Sequence, residues 1–204
     1  MSFKKNNYLI VKNILSKELN ELVLNYILFK RQAVDIMYQT NFAKPNSTLL
    51  GTYADPQMIG TYSHYGDFLT ETLLIYFQKI LEKKLKLKLV PTYSYFRIYK
   101  KGDVLKKHND RPSCEISATL NVAGDHPWEI FLENVKKGIL LNHTDMLIYK
   151  GNKLKHWRNE FKGNICIQIF FHFNDLNGPF KTKNLYDTRP FLGLPSEFCK
   201  EKSD

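Results

Sequence analysis

Cysteine is scarce, and no two cysteines stand in a Cys-x-x-Cys spacing. The three present, Cys114, Cys166 and Cys199, cannot all pair with one another, so reduced thiols in a reducing compartment are the simplest expectation. Long apolar runs are also missing. The longest tracts are broken by Lys, Asn or His, which leaves no membrane span to expect. The opening Met1-Ser2-Phe3-Lys4-Lys5-Asn6-Asn7 lacks the apolar stretch and small-residue cleavage site of a signal peptide, which points to the cytoplasm. No internal repeat, low-complexity tract or Pro/Ser linker divides the chain. At 204 residues the expectation is a single domain, 1–204, with a core large enough to need no disulfide staple.

Acidic residues are the minority charge, and the net charge is +10. Such an excess suits nucleic acid, acidic lipid or acidic protein as a partner. The lysines, however, come in small separate groups, Lys83 to Lys88, Lys100 with Lys101, Lys106 with Lys107 and Lys136 with Lys137. That scatter reads mainly as solvated edges and turns.

What is present falls into helices first and strands after. Tyr8-Leu9-Ile10-Val11 reads as a strand. Ser16 then caps a helix, with Glu18 facing its positive end. Leu19, Leu22, Val23, Tyr26 and Ile27 recur at helical spacing as its buried stripe. Residues 40–64, with Pro45, Gly51, Pro56 and Gly60, read as irregular, and a loop of that length is often functional. Tyr53, Tyr62 and His64 are its candidate substrate contacts. A second helix is expected over roughly 66–86, with Leu69, Leu73, Tyr76, Phe77, Ile80 and Leu81 on one face. From residue 89 the period becomes two: Tyr93, Tyr95, Arg97 and Tyr99 alternate with Ser94, Phe96 and Ile98. Further strands are expected at 114–122, 128–132, 138–141, 145–149, 154–158 and 164–173. The expected class is α+β, with a double-stranded β-helix (jelly-roll) core and N-terminal helices packed on it. The parts are a helical region of about 1–88, a core of about 89–175 and a C-terminal extension, 176–204, that could cover the barrel mouth.

His108-Asn109-Asp110 carries the chemistry. On an extended chain a His-x-Asp presents both side chains to one side, where they can share an ion. A second His with open coordination positions would complete the set that marks non-haem Fe(II) oxygenases. His156, beyond several short strands, is the candidate. A rival His-x-Asp, His143-Thr144-Asp145, could be completed by His172. Asp145 opens an apolar strand after a turn, so turn chemistry already accounts for it.

At these residues the chain resembles the Fe(II)/2-oxoglutarate-dependent oxygenases, in particular their prolyl-hydroxylase-like branch. The similarity runs through "YLIVKNILSKELNELVLNYI", "YFRIYKKGDVLKKHNDR", "GILLNHTDMLIYKGNKLKHW" and "NICIQIFFHF", and more narrowly toward bacterial and phage oxygenases in "HNDRPSCEIS" and "KHWR". The resemblance implies that His108, Asp110 and His156 hold Fe(II), that Tyr99 contacts 2-oxoglutarate, and that O₂ is the co-reactant, with ascorbate a further candidate. It implies hydroxylation of a protein side chain or small molecule, with 2-oxoglutarate converted to succinate. The family's Lys or Arg, some nine to eleven residues after the distal His, is replaced by Ile165, Cys166 and Ile167. A dianion in a dry pocket needs a cation or several donors. Arg158 is the candidate anchor because, two residues beyond His156, it faces the same way on a strand. Gln168 could add a donor, and Lys162 and Arg111 are alternatives. Arg111 could instead orient the substrate or Asp110. Trp157, with Trp128 and Phe170, could wall the site. Two rivals stand beside this expectation. A nucleic-acid-modifying oxygenase fits the charge but lacks the paired arginines those enzymes carry after the distal His. A non-catalytic jelly-roll binding protein would have no use for an intact metal set.

Overall fold

A computed structural model of the protein describes residues 3–200. In chain order the elements are a short helix α1 (Phe3–Asn6), β1 (Tyr8–Val11), α2 (Lys17–Gln39), β2 (Ser63–Tyr65), α3 (Phe68–Leu85), β3 (Leu89–Lys100), β4 (Leu105–His108), β5 (Ile116–Gly124), β6 (Phe131–Leu132), β7 (Met146–Tyr149), β8 (His156–Arg158) and β9 (Ile165–Asp175). Short 3₁₀ turns follow at Pro112–Cys114, Leu185–Thr188 and Ser196–Phe198.

The helices start where side chains satisfy their free N–H groups. Ser16 Oγ accepts from Leu19 at 3.2 Å, and Asp67 Oδ1 accepts from Leu69 at 2.9 Å and Thr70 at 3.2 Å. The other oxygen of Asp67 accepts from Tyr26 and Lys30 of α2, so one cap also ties the two helices together. At the far end of α3, Lys86 takes the left-handed conformation that stops the helix. Among the described residues no helix is long and apolar enough to cross a membrane.

Two antiparallel sheets form the jelly roll. The larger has the order β1-β7-β5-β9-β3-β2 and the smaller β4-β8-β6. The helices lie on the outer face of the larger sheet. There Phe96 and Ile98 of β3, Leu120 of β5 and Ile169 and Phe171 of β9 pack with Val23 and Ile27 of α2 and Leu74, Phe77 and Leu81 of α3. The inner face takes the alternate residues. Cross-strand pairs Tyr93–His172, Tyr95–Phe170, Arg97–Gln168 and Tyr99–Cys166 run along it, with Ser117, Thr119 and Asn121 of β5 beside them. One face is therefore apolar and the other aromatic and polar, yet both are buried. A buried polar face needs partners for its donors and acceptors, and the space between the sheets is where they lie.

The C-terminal extension is fastened to this body. Arg189 Nη2 pairs with Glu71 of α3 at 2.8 Å, both side chains are buried, and Glu71 also accepts from the backbone of Ser94 and Gly193.

Some expectations need correction. Residues 138–141 form no strand; only an isolated bridge joins Ile130 to Ile139. Residues 128–132 contribute just Phe131 and Leu132. β2 and β4 lie where the sequence shows no period, because three or four residues at a sheet edge are too few to display one. Leu22 and Tyr76, placed by spacing in buried stripes, point to solvent. The apolar stripes of α2 and α3 are narrower than the spacing suggests, because each helix covers the sheet on one side only.

Replacing Arg189 with Leu would leave Glu71 charged and buried without its cation. A loss of about 3–5 kcal/mol is expected, seen as a lower urea midpoint at unchanged slope; a midpoint within error of the parent would contradict it.

Candidate metal centre and cofactor cavity

β4 and β8 pair antiparallel with His108 opposite His156, so the two imidazoles are cross-strand neighbours with ring centroids 4.3 Å apart. Just past β4 the chain turns, and Asp110 N–H donates to Gly151 O at 3.0 Å. That turn sets Asp110 Oδ1 3.6 Å from His108 Nε2 and 3.4 Å from His156 Nε2. One ligand atom from each of the three residues lies within 4.8 Å of the others.

The outer nitrogens settle which atoms face inward. His108 Nδ1 lies 2.7 Å from Lys106 O and His156 Nδ1 3.0 Å from Leu154 O. A carbonyl only accepts, so each Nδ1 carries a proton, and it is Nε2 of each ring that is turned toward Asp110. Two ring nitrogens and a carboxylate oxygen that face one another can share a metal cation, or a proton where no metal is bound. The donor set, two imidazoles and one carboxylate, suits Fe(II). Burial by itself raises the Asp110 carboxyl, but hydrogen bonding to His108 and His156 outweighs it and holds Asp110 well below the usual carboxylate range. The same contact with Asp110 raises His108, against the opposing effect of burial.

Around these residues lies a cavity of about 300 Å³, lined by the inner face of β3 (Tyr93, Tyr95, Arg97, Tyr99), by Phe170 and His172 of β9 and by Tyr149 of β7. Tyr99, buried, is one of these lining residues and lies edge-on to Trp128 at 4.8 Å. Burial raises its hydroxyl pKa, while Arg97 and Arg158 pull it back. Arg158 is buried over the Trp128 ring at 4.8 Å. It donates to Trp128 O at 2.6 Å and to Gln168 Oε1 at 3.4 Å. Among the described residues no carboxylate pairs with it, and burial lowers its guanidinium pKa. Arg158, Gln168 and Cys166 line a second cavity, of about 470 Å³, together with Trp128, and it shares no lining residue with the first.

Arg111 leans over the Tyr93 ring and donates to both oxygens of Asp187, at 2.9 and 2.5 Å. The C-terminal extension thus reaches the residue next to Asp110. Phe170 lines the metal cavity. Trp157 lies on the opposite side of β8, stacked on Phe131 and covered by Lys107, and it lines neither cavity.

The structure brings in groups that spacing does not reveal. Asp55 and Gln57, from the irregular segment, arch over the metal cavity. Arg97 donates to Asp55 and to Gln57, each at 2.9 Å, and Gln57 Nε2 lies 3.3 Å from His108 Nε2. Tyr53, Tyr62 and His64 are instead structural: they bind Asp35, Leu50 O and Thr48 O. Pro56 and the polar run around it are the sole sequence signal for the arch. The rival set does not converge. Asp145 is consumed by Lys12 and by the N–H groups of Asn13 and Asn142, while His143 lies against Gly124.

Comparison with solved structures finds the same fold in prolyl hydroxylases and in an alpha ketoglutarate dependent enzyme. The chain is similar to a Pseudomonas putida prolyl-4-hydroxylase, with 12% identity, a TM-score of 0.57 and coverage of 85% of this chain and 95% of that one. It is also similar to the viral collagen prolyl hydroxylase of Paramecium Bursaria Chlorella virus-1, solved as a 2OG complex, with 12% identity, a TM-score of 0.59 and coverage of 83% and 97%. A third likeness is to the non-heme alpha ketoglutarate dependent epimerase SnoN from nogalamycin biosynthesis, with 8% identity, a TM-score of 0.61 and coverage of 85% and 79%. No family model matches the sequence, and no curated protein matches it.

His172 supplies a pH test. Burial lowers its pKa to about 4, against about 6.5 for a free His. Between those values the unfolded chain binds a proton at His172 and the folded chain does not. Stability therefore falls as pH drops through that window, by about 3 kcal/mol in all. Urea midpoints of the metal-free protein from pH 7 to 4 should fall less steeply for His172→Phe than for the parent; equal slopes would contradict it.

Proposed function

We propose that this chain is an Fe(II)- and 2-oxoglutarate-dependent dioxygenase that hydroxylates a protein side chain or small molecule and converts 2-oxoglutarate to succinate. The observation that carries this reading is the convergence of His108, Asp110 and His156 beside a cavity, with one ligand atom of each within 4.8 Å of the others. When bound, Fe(II) with 2-oxoglutarate and O₂ supplies the oxidising chemistry. The chain's own residues supply geometry and a dry pocket.

His108, Asp110 and His156 would hold the metal from one side, with the cavity on the other. Arg158 would take the far carboxylate, with Tyr99 and Gln168 as neighbouring donors. What supports Arg158 is a buried guanidinium with no carboxylate partner among the described residues and unused N–H groups. Arg97 is also a buried cation, but it is committed to Asp55. Arg111, held by Asp187 at the mouth, would orient substrate. Fold neighbours include prolyl hydroxylases, one in complex with a peptide fragment, and a biosynthetic epimerase and carbocyclase. Both protein and small-molecule substrates are therefore in keeping with the fold.

Anaerobic addition of Fe(II) and then 2-oxoglutarate should produce a weak visible charge-transfer band, and admitting air should yield succinate without added substrate. A chain that binds no iron would be the non-catalytic binding protein instead. Arg158→Met should raise the 2-oxoglutarate concentration for half-saturation about 100-fold, as expected when a buried charged partner is removed, without weakening metal binding. If Arg97→Met does this and Arg158→Met does not, the anchor is Arg97.

A further inference from the structure

Asp110 has two oxygens, and only Oδ1 faces the imidazoles. Oδ2 lies 2.6 Å from Ser117 Oγ, the length of a charge-assisted O–H···O⁻ bond. Ser117 has a single hydroxyl proton. Its other nearby acceptor, Cys114 O, is neutral and farther off at 3.1 Å, so the proton goes to the carboxylate. Ser117 Oγ can then only accept from its third neighbour, His172 Nδ1 at 3.1 Å. His172 Nδ1 must carry a proton, and its Nε2 is a bare acceptor. His172 lines the metal cavity beside Tyr93, and among the described residues its Nε2 has no hydrogen-bond partner.

We propose that Ser117 and His172 are positioning residues for Asp110. In this arrangement His172 Nδ1–H donates to Ser117, Ser117 O–H donates to Oδ2, and Oδ1 alone is presented to a metal. The inference rests on reading His108, Asp110 and His156 as metal ligands. The packing supports it independently. A Cβ on Gly151 would fall 2.3 Å from both Asp110 Oδ2 and Ser117 Oγ, and 2.7 Å from Cys114 O. Only a residue without a side chain lets the turn close on that hydrogen bond. Asp110, Cys114 and His172 also lie near enough to form a three-ligand group. Its atoms are already engaged, Oδ2 by Ser117 and Cys114 Sγ by Tyr93 Oη at 3.1 Å.

The test uses the full chain and Co(II) alone. The wild type should bind one Co(II), Ser117→Ala should weaken it about 10–100-fold, the range seen when such outer hydrogen bonds are removed, and Gly151→Ala should weaken it as well. In the metal-free wild type, ¹⁵N shifts of His172 should report the Nδ1–H tautomer. Co(II) binding by Ser117→Ala as tight as wild type, or an Nε2–H tautomer, would overturn the proposal while leaving the metal centre standing. A wild type that binds no Co(II) would overturn the metal reading instead. The tautomer measurement, needing no variant, would still decide the hydrogen-bond order if Ser117→Ala failed to fold.

Discussion

The structure turns on a polar sheet face that is buried on purpose. Alternate residues of β3, β5 and β9 point away from the helices toward the smaller sheet, and they include Arg97, Ser117, Asn121, Gln168 and His172. Such groups cost free energy in a dry interior unless each finds a partner. A core of hydrocarbon would leave them orphaned. The two sheets instead enclose cavities and a lattice of side-chain hydrogen bonds, while the apolar packing that stabilises the fold is moved to the outer face, against α2 and α3.

Charge is then sorted along the interior. The acceptors His108, Asp110 and His156 gather on the strand pair β4 and β8 and the turn after β4. Arg158, two residues beyond His156 on the same strand, adds a cation that is equally buried. The order has a simple cause: in a strand, residues i and i+2 share a face, so three residues of β8 deliver both an imidazole and a guanidinium to the interior.

Much of this was legible in the sequence, and the reasons differ by element. The alternation Tyr93, Tyr95, Arg97, Tyr99 is long enough to reveal an inward face, and β3 follows it. Ser16 signals the start of α2 because capping is local chemistry. His108, Asp110 and His156 could be grouped because His-x-Asp on extended chain constrains two ligands at once, and the structure sets His156 across the ladder from His108. Asp55, Gln57 and Ser117 could not be read in this way. Each reaches the site by a tertiary path, and a lone Asp, Gln or Ser has many ordinary uses in a turn or strand. The missing strand at 138–141 is the converse case: a short apolar run satisfied by packing near Ile130 and Leu147 rather than by a ladder.

The two irregular segments complete the argument, because a jelly roll alone is open at its mouth. From one side, Asp55 and Gln57 engage Arg97 and reach His108. From the other, Asp187 holds Arg111 while Arg189 anchors the extension to Glu71. Tyr186, Asp187 and Thr188 all adopt positive φ, a conformation costly for residues with a Cβ. That cost is offset locally by the paired Arg111–Asp187 bonds and the Tyr65 hydroxyl on Asp187. The strain thus sits where the extension meets the neighbour of Asp110, so the extension helps shape the rim through which a substrate would approach the metal centre.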